Sequence, residues 1–144
     1  MMRDTSVEPI SKVEKKLYGA TIVEYLNEHS SFRPEELKAN PKIKKIRLNL
    51  DFYGQVFEEN NRRRVFVYQS NLGIDKHGID ISGASMPVVY IVEKRKGSYK
   101  VVDYKEPRDS PNFEEDKKKL FPEKMFSPLN MLKRNNINFE KEVE

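Results

Sequence analysis

From Ile43 onward the chain alternates with a period of two. Ile46, Leu48, Leu50 and Phe52 fall on one side, and Arg47, Asn49 and Asp51 on the other. A strand with one buried and one wet face has this pattern. It is expected to run on through Val56 and Phe57, with Gly54 permitting a bulge. Three more runs rich in β-branched and aromatic residues follow at 65–68, 86–92 and 99–104, each a strand signal. The polar stretch Glu93-Lys94-Arg95-Lys96-Gly97-Ser98 joins the last two as a hairpin. Residues 58–62 read as the turn before Val65. Residues 71–85 are punctuated by Gly73, His77-Gly78 and Gly83 and carry little apolar content, so they read as a long, twisted hairpin tip.

Ahead of the strands the period changes to that of a helix, over about residues 9–28. Pro9 suits a first helical position, and Ser11 with Glu14 makes a capping-box pattern. Two apolar stripes are offset from each other. One holds Ile10, Val13, Leu17 and Ala20; the other holds Tyr18, Ile22, Tyr25 and Leu26. Gly19 stands where they change, which predicts a bend and a helix wrapped on a curved surface. Residues 34–38 suggest a further short turn before Asn40-Pro41. After the last strand, Asn112 and Glu115 form a second capping-box pattern, opening a helix to about Leu120 that Pro122 stops. Ser127-Pro128 opens a final helix over 129–134.

These elements predict an α+β roll, with an N-terminal helix packed on a curved four-stranded antiparallel meander and short C-terminal helices. The alternative is a split arrangement with the C-terminal helices on the far face. The whole chain, 1–144, reads as a single domain, with 1–8 and 138–144 expected to be flexible.

Composition narrows the classes. A chain of 144 residues buries roughly two-thirds of its unfolded surface as one domain. Eight Phe and seven Tyr supply core material and argue against disorder. The absence of cysteine excludes disulfides, thiolate metal sites and cysteine nucleophiles. No stretch approaches the roughly 18 apolar residues that cross a bilayer, so no transmembrane segment is expected. Met1-Met2-Arg3-Asp4 has no apolar signal core behind it. The protein is therefore cytoplasmic if Met1 is the true start, or a mature fragment without its export signal.

The segment from Arg64 to Lys124 resembles a family of uncharacterised domains from Gram-positive bacteria. These occur in secreted lipoproteins and appended to antirepressor-type membrane metallopeptidases. The resemblance is carried by Val65-Phe66-Val67-Tyr68-Gln69, Ser82-Gly83-Ala84-Ser85, Pro87-Val88-Val89 and Tyr99-Lys100-Val101-Val102-Asp103-Tyr104. It continues through Pro107-Arg108-Asp109 to Leu120-Phe121-Pro122. Ser110-Pro111 follows Asp109 where members often have Gly. The resemblance implies a cystatin-like or nuclear-transport-factor-like roll and an extracytoplasmic, lipoprotein-like setting. It implies no reaction.

Four residues are candidates for ligand binding: Tyr68, Asp103, Tyr104 and Arg108. A guanidinium at Arg108 could clamp a carboxylate or phosphate bidentately. The plainer alternative has Asp109 capping a helix while Arg108 braces the corner. Tyr68, Asp103 or Tyr104 could act as acid–base groups in a pocket of the roll. Alternation instead turns Asp103 outward from a face shared by Val102 and Tyr104. Two distant histidines, His29 and His77, lack the spacing of a zinc site, and Asp75 and Asp80 suit a turn. Ser70, Ser82 and Ser85 lack a nucleophile-elbow context. No cofactor, metal or catalytic set is assigned.

Basic clusters at 62–64 and 94–96 could meet at one end and contact phosphates. Acidic neighbours and the absence of interleaved exposed aromatics disfavour a nucleic-acid partner. The expected function is a non-catalytic extracytoplasmic binding or interaction domain for a protein or small ligand. The alternatives are a small-molecule enzyme using the roll's pocket and a nucleic-acid-binding module using the basic tips.

Overall fold

In the computed structural model, residues 7–29, 40–132 and 136–142 are described. The chain begins with α1 (Lys12–His29), followed by β1 (Lys45–Phe57), β2 (Arg62–Ile74), β3 (Asp80–Arg95) and β4 (Ser98–Lys105). Then come α2 (Phe113–Leu120), a 3-10 turn (Glu123–Phe126), α3 (Pro128–Leu132) and β5 (Asn136–Glu142). Every strand pairing is antiparallel, in the order β4-β3-β2-β1-β5.

The architecture is α+β, with an N-terminal helix on a curled antiparallel sheet, as the periodicity implied. The sheet has five strands rather than four. The segment read as part of a loose tail pairs with the far side of β1, Leu48 opposite Phe139 and Leu50 opposite Ile137. The sheet also reaches further at its other end. β2 and β3 stay paired down to Ile74 opposite Asp80, so the loop between them shrinks to residues 75–79. The short turn expected at residues 34–38 lies outside the described residues, as does the end of the final helix at 133–134.

β1 explains its own burial. Ile46, Leu48, Leu50 and Phe52 are all buried, while Arg47, Asn49 and Asp51 are half-buried. The register shifts between Phe52 and Gly54, where a bulge was anticipated. Gly54 there does more than relax the backbone. A Cβ at this position would stand 2.5 Å from Val7 Cγ1 and 3.0 Å from the Glu8 carbonyl oxygen. Its absence lets Glu8 and Gln55 exchange two backbone hydrogen bonds, at 2.7 and 2.9 Å.

The Ser11–Glu14 capping box forms as read. The Ser11 N–H donates to Glu14 Oε1 at 3.0 Å, and the Glu14 N–H donates to Ser11 Oγ at 3.1 Å. Within α1 the second apolar stripe faces the sheet: Tyr18, Ile22 and Leu26 are buried and Tyr25 is half-buried, while of the first stripe only Ile10, just ahead of the helix, joins the same core. Val13 and Leu17, from the first stripe, are 68% and 43% exposed. Gly19 marks a close approach. A Cβ on it would lie 3.0 Å from Phe139 Cζ, so the helix sits directly on β5.

The sheet is covered on both faces. Tyr18, Ile22 and Leu26 pack with Leu48, Leu50, Val65, Val67, Val88, Tyr90, Val92 and Val101. Residues of opposite parity, Phe66 and Val89, join Val56, Phe121 and Met125 under the C-terminal helical segment. Each fully buried Leu or Val contributes about 2 kcal/mol. Residue Asn112 does precede α2, but its side chain makes no cap hydrogen bond, so the second capping box does not form. Arg108 anchors α2 instead.

Candidate binding surface

The four candidate residues do not converge on one site. Tyr68 lies on the far face with Phe66, packed against the cluster under the C-terminal helices. Tyr104 lies on the helix face, opposite Tyr90, its ring 5.8 Å from that of Tyr25. Asp103 is exposed on edge strand β4, and its Oδ1 accepts the Tyr104 N–H at 2.8 Å. The register between β3 and β4 shifts at Ile91 and Val92, leaving Val102 as the extra residue. That bulge sets Asp103 on the far face while Tyr104 keeps to the helix face.

Arg108 serves as the corner brace. Its Nε and Nη2 donate to Asp116 Oδ2 and Oδ1 at 2.8 and 3.0 Å, and its backbone N–H donates to Oδ2 at 2.9 Å. These hydrogen bonds hold the Asp116 carboxyl down at about 2. Tyr104, Lys105, Glu106, Arg108, Asp116 and Leu120 together line a shallow, open depression. Two of the four candidates, Tyr104 and Arg108, thus share a surface. Partial burial of the Glu106 carboxyl, and then the charge of Asp109, raise its pKa.

The most developed polar cluster was not picked out from the sequence. Arg63 is buried although it sits in a run of three arginines. Its Nη1 donates to the Tyr18 hydroxyl at 3.0 Å, and that hydroxyl donates to Gln55 Oε1 at 2.6 Å. Gln55 Nε2 in turn donates to the Pro9 carbonyl at 3.1 Å. Glu14 Oε2 stands 3.9 Å from Arg63 Nη1. The guanidinium carbon lies 4.8 Å from the Phe57 ring centre and 5.2 Å from that of Tyr99, both cation–π distances. Burial lifts the Tyr18 phenol to about 12, with Arg63 opposing. Burial also pushes Glu14 up, but hydrogen bonds from Ser11, Gln55 and Tyr18 outweigh it and leave the carboxyl below its usual value.

Neither group is tuned for proton transfer near neutral pH, which asks for a pKa close to the operating pH. The cluster locks α1 to β1 and β2. The signal was in the alternation: Arg63 shares parity with Val65 and Val67, which face the helix.

The basic tips do lie side by side, since the Lys94 N–H donates to the Asn61 carbonyl at 2.9 Å. Their arginines are already engaged. Arg62 and Arg95 both pair with Glu93, at 3.0 and 2.7 Å, Arg64 pairs with Glu58 at 3.0 Å, and Arg63 points inward. Asp75 Oδ1 accepts the N–H groups of His77 and Ile79, a turn role. Among the described residues no group of three or more His, Asp or Glu side chains is arranged to hold a metal ion. No described helix is long and apolar enough to cross a membrane. No family model, curated protein or solved structure matches the chain.

Proposed function

We propose that this chain is a non-catalytic interaction domain that engages a protein through the open edge of β4 and the corner that follows it. The observation that carries this reading is the position of β4. Among the described residues it is an eight-residue strand hydrogen-bonded to β3 alone, carrying Tyr104 near its end and followed by the Arg108–Asp116 brace. An edge strand offers main-chain N–H and C=O groups to an incoming strand, and the flanking side chains then select it. The helix face of the sheet is filled by α1, and Tyr68 and Tyr104 lie on opposite faces. These features favour docking over acid–base chemistry in an internal pocket. The setting outside the cytoplasm implied by the family resemblance belongs to the same proposal.

The reading is tested with a random library of extended peptides selected on the full chain, followed by amide chemical-shift mapping of the retained sequences. Shifts should concentrate on residues 98–108. Shifts centred instead on the depression formed by Glu114, Lys117, Phe121 and Phe126, or on the loop at 75–79, would remove the basis for it.

A further inference from the structure

We infer that the partner at the β4 edge is a second copy of this chain, paired antiparallel about a two-fold axis between Val101 and Val102. The inference rests on the edge-docking reading above and specifies its occupant.

The argument starts from the bulge. In a regular strand, residues 100 and 103 would point to opposite faces. The extra residue at Val102 changes that. Lys100 stands opposite Glu93 and Asp103 opposite Ile91, two positions of the same parity on β3, so both point to the far face. By the same count Tyr99 and Tyr104 both point to the helix face, where their rings meet Tyr18 and Tyr25.

A two-fold pairing of β4 with itself must match faces. The register that does so places Lys100 opposite Asp103 of the second copy and Asp103 opposite its Lys100. Tyr99 then faces Tyr104, and Tyr104 faces Tyr99. Each strand contributes Val101 and Val102 between these pairs, so neither has a residue in excess. Shifting the pairing by one residue sets far-face side chains against helix-face ones, because the bulge has altered the parity. One register therefore satisfies face, charge and aromatic pairing together. Opposite charges and aromatic pairs directly across an antiparallel ladder are the favourable combinations.

The ends agree with the middle. The same register brings Gly97 of the turn, preceded by Lys96 and with Lys94 in the strand before it, alongside Glu106 of the other copy. Among the described residues Lys94, Lys96 and Lys100 form no ion pair within the chain. Strand β5, the other open edge, gives no comparable match. It has no bulge against β1, so its two-fold registers pair residues of equal parity. Lys141 is therefore never set opposite Glu140 or Glu142: an axis at Glu140 sets two glutamates together, and an axis at Asn138 pairs Ile137 with Phe139 but joins no opposite charges. Charged edges normally prevent self-association; on β4 their spacing produces attraction instead. An eight-residue edge buries little area, which places the dimer among weak, concentration-dependent associations.

The test uses the full chain in sedimentation equilibrium over a concentration series. The wild-type protein should dimerise, and Lys100→Glu or Asp103→Lys alone should weaken the dimer at least tenfold, each by creating two like-charge contacts. Mixing the two singly substituted chains should restore association, because Glu at 100 in one then meets Lys at 103 in the other, while native Asp103 meets native Lys100. Both substitutions are on exposed side chains, so folding is retained and is checked by circular dichroism. A chain monomeric at every concentration would overturn the inference, as would a dimer indifferent to both reversals. If the chain is monomeric but selected peptides still shift the β4 amides, self-pairing fails and the edge reading stands; if neither occurs, both fall.

Discussion

Arg63 shows how a single residue departs from the habits of its neighbours. Flanked by Arg62 and Arg64, it resembles part of a charged turn, yet it is 7% exposed. Removing one partner of a buried charged cluster is costly because the rest is left uncompensated. Arg63→Ala should destabilise the fold by about 3 kcal/mol in urea titration. Arg63→Met should cost less than half of that, since its stem still fills the gap between Phe57 and Tyr99. Tyr18, the acceptor of that guanidinium, adds a pH dependence. Its pKa is raised from 10.0 to about 12, so between those values the folded phenol keeps a proton that the unfolded chain has lost. The stabilisation is whole below pH 10 and fades as pH climbs toward 12. Tyr18→Phe should flatten that decline in a stability-versus-pH series. Tyr90, raised by burial and hydrogen-bonded to Gln69, acts in the same direction and leaves a residual slope.

Among the elements, α1 and β5 illustrate what a sequence discloses and what it withholds. The start of α1 was legible because a capping box is a local device: Ser11 and Glu14 need only each other. Its buried face was only half legible. Two offset stripes compete, and the sheet decides between them by taking Tyr18, Ile22 and Leu26 and leaving Val13 and Leu17 in water. β5 was missed because Asn135-Asn136 reads as a helix end and Glu140-Lys141-Glu142 as a solvated tail. Its strand character comes from β1, with Arg47 and Lys45 reaching Glu140 at 3.3 and 3.2 Å. The contact between the two elements can be measured through Gly19. Gly to Ala within a helix normally gains up to about 1 kcal/mol, but here the new methyl meets the Phe139 ring. Gly19→Ala should therefore destabilise the wild-type chain and stabilise a Phe139→Leu background. Thermal melts of the four chains in that cycle would expose the sign reversal.

At the scale of the whole molecule, the meander of β1 to β4 could be read from period and turn chemistry alone. Lys96 and Gly97, both at positive φ, close the last hairpin as its spacing implied. The distribution of the candidate residues could not be read, because it depends on a bulge in β4 and on which face each helix chooses. Tyr68 and Tyr104 are therefore separated by the thickness of the sheet, while Tyr104 and Arg108 are neighbours. The late arrival of β5 also orders events during synthesis. While residues beyond Asn130 are still inside the ribosome, β1 is an outer strand whose polar backbone has no partner on one side. Nascent chains crowded on one message could pair there and be trapped, so the codons translated into β5 shield the first strand that was made.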